Sequence, residues 1–289
     1  MSSIAMGDAQ PSARQRSWLR ALLRDRTSQL GAVILLVIVA AAVLAPVIAP
    51  YDPIAQNIAN RLAPPGSQHP FGTDYFGRDV LSRVIWGARL SLLVGVASIA
   101  FAFLVGTTLG MLAGYVGGRL EAAIMRFTDI MMSFPDEVLG IMFSIAFGTG
   151  IRSLILAIGI LMTPRFIRLA HAPTLAVRER EFVLAASALG AGRRYTLVRH
   201  VLPNIAGELL VMGTLWIGTA IRIEANLSFL GLGVSPPTPT WGNMAREGLS
   251  YLTSAWWWSF FPGLAILLAV LAFNLVGDAL RDTSDPRLR

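Results

Sequence analysis

Apolar and polar positions fall in long blocks along this chain. Residues 30–49, 90–115, 125–147, 151–169, 205–223 and 260–276 are almost wholly apolar. A helix needs about 20 apolar residues to cross a hydrocarbon layer roughly 30 Å thick. The pattern therefore predicts an all-α polytopic membrane protein with six transmembrane helices. The polar blocks between them differ in kind. Residues 50–89 are dense in turn formers: Asp52-Pro53, Pro64-Pro65-Gly66, Pro70 and Gly72. From Gly77 a helical period sets in, with Val80, Leu81, Val84 and Ile85 on one face. That predicts a helix lying along the membrane surface before the chain turns inward. Residues 224–255 are punctuated by Gly231, Gly233, Pro236, Pro237 and Pro239. Trp256-Trp257-Trp258 then reads as an interfacial aromatic belt.

Charge sets the orientation. The net charge is +7, all of it from arginine, since lysine is absent. Only 14% of residues are charged, against about 25% in soluble domains. Arg14, Arg16, Arg20, Arg24 and Arg26 crowd the segment 1–29, interleaved with Trp18, Leu19, Leu22 and Leu23. This predicts a cytoplasmic, interfacial N-terminal segment followed by an uncleaved first helix at 30–49. An even number of spans returns the C-terminal tail, 281–289, to the cytoplasm. Loops 116–126 and 171–204 then face inward, and segments 50–89 and 224–255 outward. Arg61, Arg78, Arg83 and Arg89 depart from the bias, partly offset by Asp52, Asp74 and Asp79. The spread of arginines over membrane edges points to topology and lipid headgroups, not nucleic acid.

Composition also narrows the chemistry. Cysteine is absent, which excludes disulfides and thiolate metal sites. Without lysine there is no phosphate-binding Walker lysine, so any ATP must act on another subunit. Neither a G-x-S-x-G elbow nor an H-E-x-x-H pair occurs. His69 is assigned outside and His171 and His200 inside, so the three histidines cannot share a metal. No catalytic residue is expected.

Three local patterns remain. Ser98, Ala102, Gly106, Gly110 and Gly114 recur every four residues within 90–280, the transmembrane core. Small residues at that spacing let helix backbones meet, either within the chain or against a partner. Asp136 and Glu137 follow Pro135 inside the third apolar run. Ionised groups there cost about 2.5–3.5 kcal/mol each, so they line a water-filled cavity, pair with arginine on a neighbouring helix, or are protonated. Arg222 and Glu224 form either an outer gate contact or a local ion pair. Between the fourth and fifth runs lies the oddest block, 178–204. It is basic and helix-forming, is broken by Gly190 and Gly192, and is stopped at Pro203. It has the character of a docking element for a cytoplasmic partner.

Four motifs in order carry a family resemblance. HPFGTDYFGRDVLSRVIWGARLSLLVG at 69–95, FVLAASALG with RHVLPN inside 178–204, SFLGLGVSPPTPTWGNM at 228–244, and the block 256–287 resemble the C-type permease subunits of dipeptide/oligopeptide ABC importers. The resemblance implies the type I ABC importer permease fold, with a short cytoplasmic coupling helix seated in a partner ATPase. It assigns ATPase coupling to Glu181, Ala185, Ala186, Gly190, Arg193, His200 and Pro203. It implies a B-type permease as heterodimer partner, two ATP-binding subunits or one fused ATPase, and an extracytoplasmic substrate-binding protein. ATP and magnesium would be bound by those partners, with no cofactor in this chain. The location implied is the bacterial cytoplasmic membrane. Two departures are visible: Leu184 stands where the family carries an acid, with Glu181 one turn earlier as its candidate substitute, and Asp136 and Glu137 follow Ser133-Phe134-Pro135 where the family runs apolar, which would let one of them line the path and draw in the positive amino terminus of a peptide. The same subunit type also serves nickel, glutathione and other solutes. A secondary transporter is the reading from a different class.

Overall fold

The computed structural model describes residues 25–284. The interfacial pattern around Arg14–Arg24 and the terminal Arg287 and Arg289 lie outside the described residues. The elements are α1 (Arg26–Ile48), α2 (Val80–Val116), α3 (Gly118–Met132), α4 (Asp136–Phe147), α5 (Ile151–Arg178), α6 (Glu181–Ala188), α7 (Arg193–Phe229), α8 (Trp241–Leu249) and α9 (Trp257–Ser284). Five of these are long and apolar enough to cross a membrane. The pair α3 and α4 makes a sixth crossing if taken together.

The centre of the bundle is α2 against α5. Its glycines explain why the two helices come so close. A Cβ on Gly106 would lie 2.5 Å from Phe166 Cβ, one on Gly110 2.4 Å from the Ile167 carbonyl oxygen, and one on Gly114 2.8 Å from that of His171. The backbones therefore touch, as small-residue stripes allow in lipid. Ser98 and Ala102 continue the stripe and are fully buried. The partner of the three glycines is α5 of the same chain. Around this pair, Ile158, Met162 and Phe166 of α5 form a core with Ile99 and Ala102 of α2, Leu139 of α4 and Leu227 of α7. On the other side of α2 stand α7 and α9, and α1 rests on α9 and α2. Most of α1 is exposed, with Leu36, Val43 and Val47 facing out, as a lipid-facing helix should.

Five expectations need correction. The helix after Gly77 does not run along the surface and then turn in. It starts at Val80 and continues unbroken to Val116, 37 residues, or about 55 Å. Gly87 and Gly95 within it pack on Trp241 and Ile221. The third apolar run is not one straight span but two helices bent by 100°. Pro135 at the break has no N–H to donate, and its carbonyl instead starts α4 by accepting from Val138 at 3.1 Å and Leu139 at 3.2 Å. The loop expected from residue 171 is still helix until Arg178. Pro203 does not stop a helix; it sits in the first turn of the α-helical stretch Leu202–Phe229, directly after a π-turn. A π-turn at Leu197–Val201 absorbs its missing donor, with the Leu202 N–H bonding Leu197. Of the tryptophan triplet only Trp256 is exposed, because Trp257 and Trp258 pack in a core with Val80, Met244 and Ala255.

Gly110→Ala should lower stability by about 1–3 kcal/mol, because the new methyl must push against a backbone carbonyl. Gly263→Ala, whose methyl meets nothing, should be neutral. Thermal unfolding of the detergent-purified chain measures both, and equal midpoints would contradict the close approach.

Candidate functional site

The element at 178–204 is built from a short helix on a glycine corner. Val183 is its anchor, buried against Met111, Val177, Leu197 and Val201. Glu181 opens the helix as a first-turn acid, where the macrodipole favours negative charge. The helix closes in a Schellman arrangement: Ala191 N–H donates to the Ala186 carbonyl and Gly190 N–H to that of Ser187, both at 3.0 Å. Gly190 sits at φ +83° with open space around it, so the backbone conformation, and not crowding, demands glycine. One face remains uncovered. Phe182, Leu184, Tyr195 and Val198 are exposed, and Leu189 is 89% exposed. Ala185 and Arg193 are exposed and Ala186 is half-buried. His200 lies between Phe182 and Tyr195, at ring distances of 6.1 and 5.6 Å. Asn204 donates its amide to the His200 carbonyl at 2.7 Å, stiffening the turn around Pro203. At the base of the element, Arg178 donates to the Gly114 and Tyr115 carbonyls at 3.0 and 3.4 Å. It thereby caps the C-terminal end of α2.

A ladder of ion pairs runs along the broken span. His171 faces Glu121 at 2.7 Å, Arg168 donates to Asp129 at 2.6 Å, and Arg165 donates to Asp136. Residues 165, 168 and 171 fall three apart, which keeps them on one face of α5. Asp136 and Glu137 both occupy the first turn of α4, and Glu137 reaches Arg222 of α7 at 3.4 Å. In the sequence, Arg165 and Arg168 stand near the end of the apolar run 151–169. Their three-residue spacing was the available sign of something else. The Arg222–Glu224 pair does not form, since residues two apart point to different sides of a helix. Glu224 is instead fully buried and accepts from Ser91 at 3.0 Å and Ser228 at 2.7 Å, tying α7 to α2. Between α3, α5 and α7 opens a cleft of about 420 Å³ lined by Met132, Arg165, Arg168, Leu169 and Trp216.

At the other end of α2, the two polar segments 50–89 and 224–255 fold as one cap around buried charge. Arg78 bonds Asp74 at 2.5 Å and Glu247 of α8 at 3.3 Å. Arg83 stands 3.6 Å from each of the same two acids and donates to the Pro53 and Pro237 carbonyls at 3.1 and 3.4 Å. Asp79 caps α2 through the Ser82 N–H at 2.7 Å and meets His69 at 2.9 Å. Trp257 donates to the Thr73 carbonyl at 3.1 Å. Gly77, at φ +70°, lets the chain pass so close to Asn57 that a Cβ would fall 1.8 Å from its carbonyl oxygen. The four arginines of the first external segment thus divide. Arg78 and Arg83 are structural and buried, whereas Arg61 stacks on Tyr75 at 3.6 Å and Arg89 on Trp86 at 5.2 Å.

Comparison with known proteins bears on all three places. Residues 106–289 match the family described as binding-protein-dependent transport system inner membrane component. Residues 12–65 match the N-terminal TM domain of oligopeptide transport permease C. The chain is 42% identical to the di/tripeptide transport system permease protein DppC of Pseudomonas aeruginosa, over 96% of this chain and 94% of that protein. It is 38% identical to the oligopeptide transport system permease protein OppC of Bacillus subtilis, over 98% and 94%. It is 39% identical to the dipeptide transport system permease protein DppC of Alkalihalophilus pseudofirmus, over 95% and 90%.

Asp74→Asn should destabilise the cap by about 3–5 kcal/mol, because it strands two buried guanidiniums with one partly exposed acid between them. Thermal unfolding together with protease cleavage in residues 50–79 reads this out, and an unchanged cleavage rate would refute the role given to Asp74.

Proposed function

The chain belongs to the family of binding-protein-dependent transport system inner membrane components, and on that footing we propose that it is one permease subunit of an ATP-driven importer of short peptides. The apolar helices and the family together make it an integral inner-membrane protein. In this reading a second permease subunit completes the translocation path. Two ATP-binding subunits, or one fused ATPase, sit on the cytoplasmic side, where ATP and magnesium act. A substrate-binding protein docks on the external cap. Both termini lie in the cytoplasm, as the arginine bias directs. Peptides are the solute because the relatives above carry peptide transport in their names.

One observation carries the coupling part of the proposal. α6 is a rigid, two-turn helix held by Val183 and the Gly190 corner, with a bare apolar face beside small residues. Ala185 and Ala186 let a partner groove close on the helix, and Glu181 and Arg193 flank it with charge. His200 and Pro203 fix the angle at which α7 leaves. When ATP draws the partner ATPases together, α6 moves as a body and carries α5 and α7 with it. Leu184, exposed where the family places an acid, adds to the apolar seat in place of a charge.

The chain co-expressed with its genomic neighbours should purify with a second permease and an ATPase, and proteoliposomes of that complex with its binding protein should take up labelled dipeptide when ATP is supplied. Absence of an ATPase from the complex would sink the reading. Ala185→Arg should leave the permease pair assembled but cut uptake at least about tenfold, since a lost interface anchor costs about 2 kcal/mol.

A further inference from the structure

The ion-pair ladder is asymmetric toward the cleft. Arg165 and Arg168 line it, whereas their partners Asp136 and Asp129 are not among its lining residues. We propose that this cleft is the chain's wall of the translocation path and that Arg165 and Arg168 hold the carboxylate end of a peptide in transit. The inference rests on the importer reading above.

Three features lead there. First, the ladder needs water. Arg165 and Asp136 retain 29% and 28% side-chain exposure, and Arg168 and Asp129 retain 50% and 56%. Arg165 and Arg168 stand near the end of the apolar run 151–169, with α5 continuing beyond them to Arg178. Charges left that open toward lipid are costly, so such residues face a cavity that holds water. Second, the guanidiniums have donors to spare. Arg168 reaches Asp129, and Arg165 reaches Asp136, through Nη2, whereas each guanidinium carries five N–H donors in a fork suited to carboxylate. Third, the rest of the wall has no charge preference. Met132, Leu169 and Trp216 offer flexible, branched and aromatic apolar surface, which tolerates many peptide side chains. Trp216 is held edge-on by Phe166 at 4.7 Å.

The resident acids are part of the device. Each arginine is already neutralised, so an arriving carboxylate exchanges with Asp129 or Asp136 and does not fall into a deep positive well. A passage site must bind well enough to admit a solute and weakly enough to release it. The amino terminus of the peptide is free to interact elsewhere on the path. This reverses the polarity suggested by Asp136 and Glu137 in the sequence: at this cleft the cation, not the acid, meets the substrate.

The absence of cysteine makes the cleft directly testable. In nanodiscs holding the full complex, with partner thiols replaced, Leu169→Cys gives this chain a single thiol on the cleft wall. An anionic methanethiosulfonate should label it at least about twofold faster than a cationic one, because the guanidiniums and not their acids line the cleft. Arg165→Gln with Arg168→Gln should abolish that preference. Arg168→Lys, which keeps the charge and serves if the double variant misassembles, should retain it. A dipeptide with a free C-terminal carboxylate should slow labelling, and its amide should not. Slowing by the free peptide should weaken in Arg168→Lys, which loses the fork. An unreactive thiol in the assembled complex, a reagent preference indifferent to the arginines, or equal protection by peptide and amide would each overturn the proposal. Failure of the importer reading would appear separately, as absent peptide uptake by the unmodified complex.

Discussion

Direct backbone contact between α2 and α5 is the constraint from which the rest of the bundle follows. In lipid there is no hydrophobic gain in joining two apolar helices, so association depends on close packing and polar contacts. Gly106, Gly110 and Gly114 supply the first by removing every atom that would hold the helices apart. With α5 fixed at that distance, Phe166 can fill the space toward Trp216, and Glu224 can reach Ser91 from α7. The opposite face of α5 is then left for the ladder with Glu121, Asp129 and Asp136. One helix thus presents a dry side made of glycine contacts and a wet side made of ion pairs.

The charges divide by environment. In the cap, Asp74, Arg78 and Arg83 are buried and hydrogen-bonded, with Glu247 closing the set from 169 residues further along the chain. Buried ions of this kind are retained only when each finds partners, and here they lock two sequence-distant segments into one surface. In the ladder the pairs are half-open. Open pairs contribute little to stability, so their function is to be sought in what they meet.

Much of the fold was legible because lipid imposes a simple code. Apolar runs of about 20 residues can only be helices, and glycines four apart can only be a contact face. Gly190 was legible for a related reason, since no other residue takes that backbone conformation without strain. The misses share a cause as well. The bend at Pro135 was hidden because the apolar run continues past it on both sides. The π-turn before Pro203 leaves no trace in composition. Arg165 and Arg168 satisfy the rule for topology charges and the rule for a polar helix face equally well. The contact of Glu247 with Arg78 and Arg83 could not be read at all, because nothing local to either segment announces the other.

The length of α2 has a mechanical meaning. Its first turn is clamped in the cap by Asp79 and by Arg83, and its last carbonyls are held at the opposite end by Arg178. Between those clamps there is no proline and no positive-φ residue. The helix is a stiff strut with no hinge along its length. Whatever tilts its outer end displaces its inner end in the same instant. The two sides of the membrane are therefore in mechanical register through this chain alone, without a relay of intermediate rearrangements.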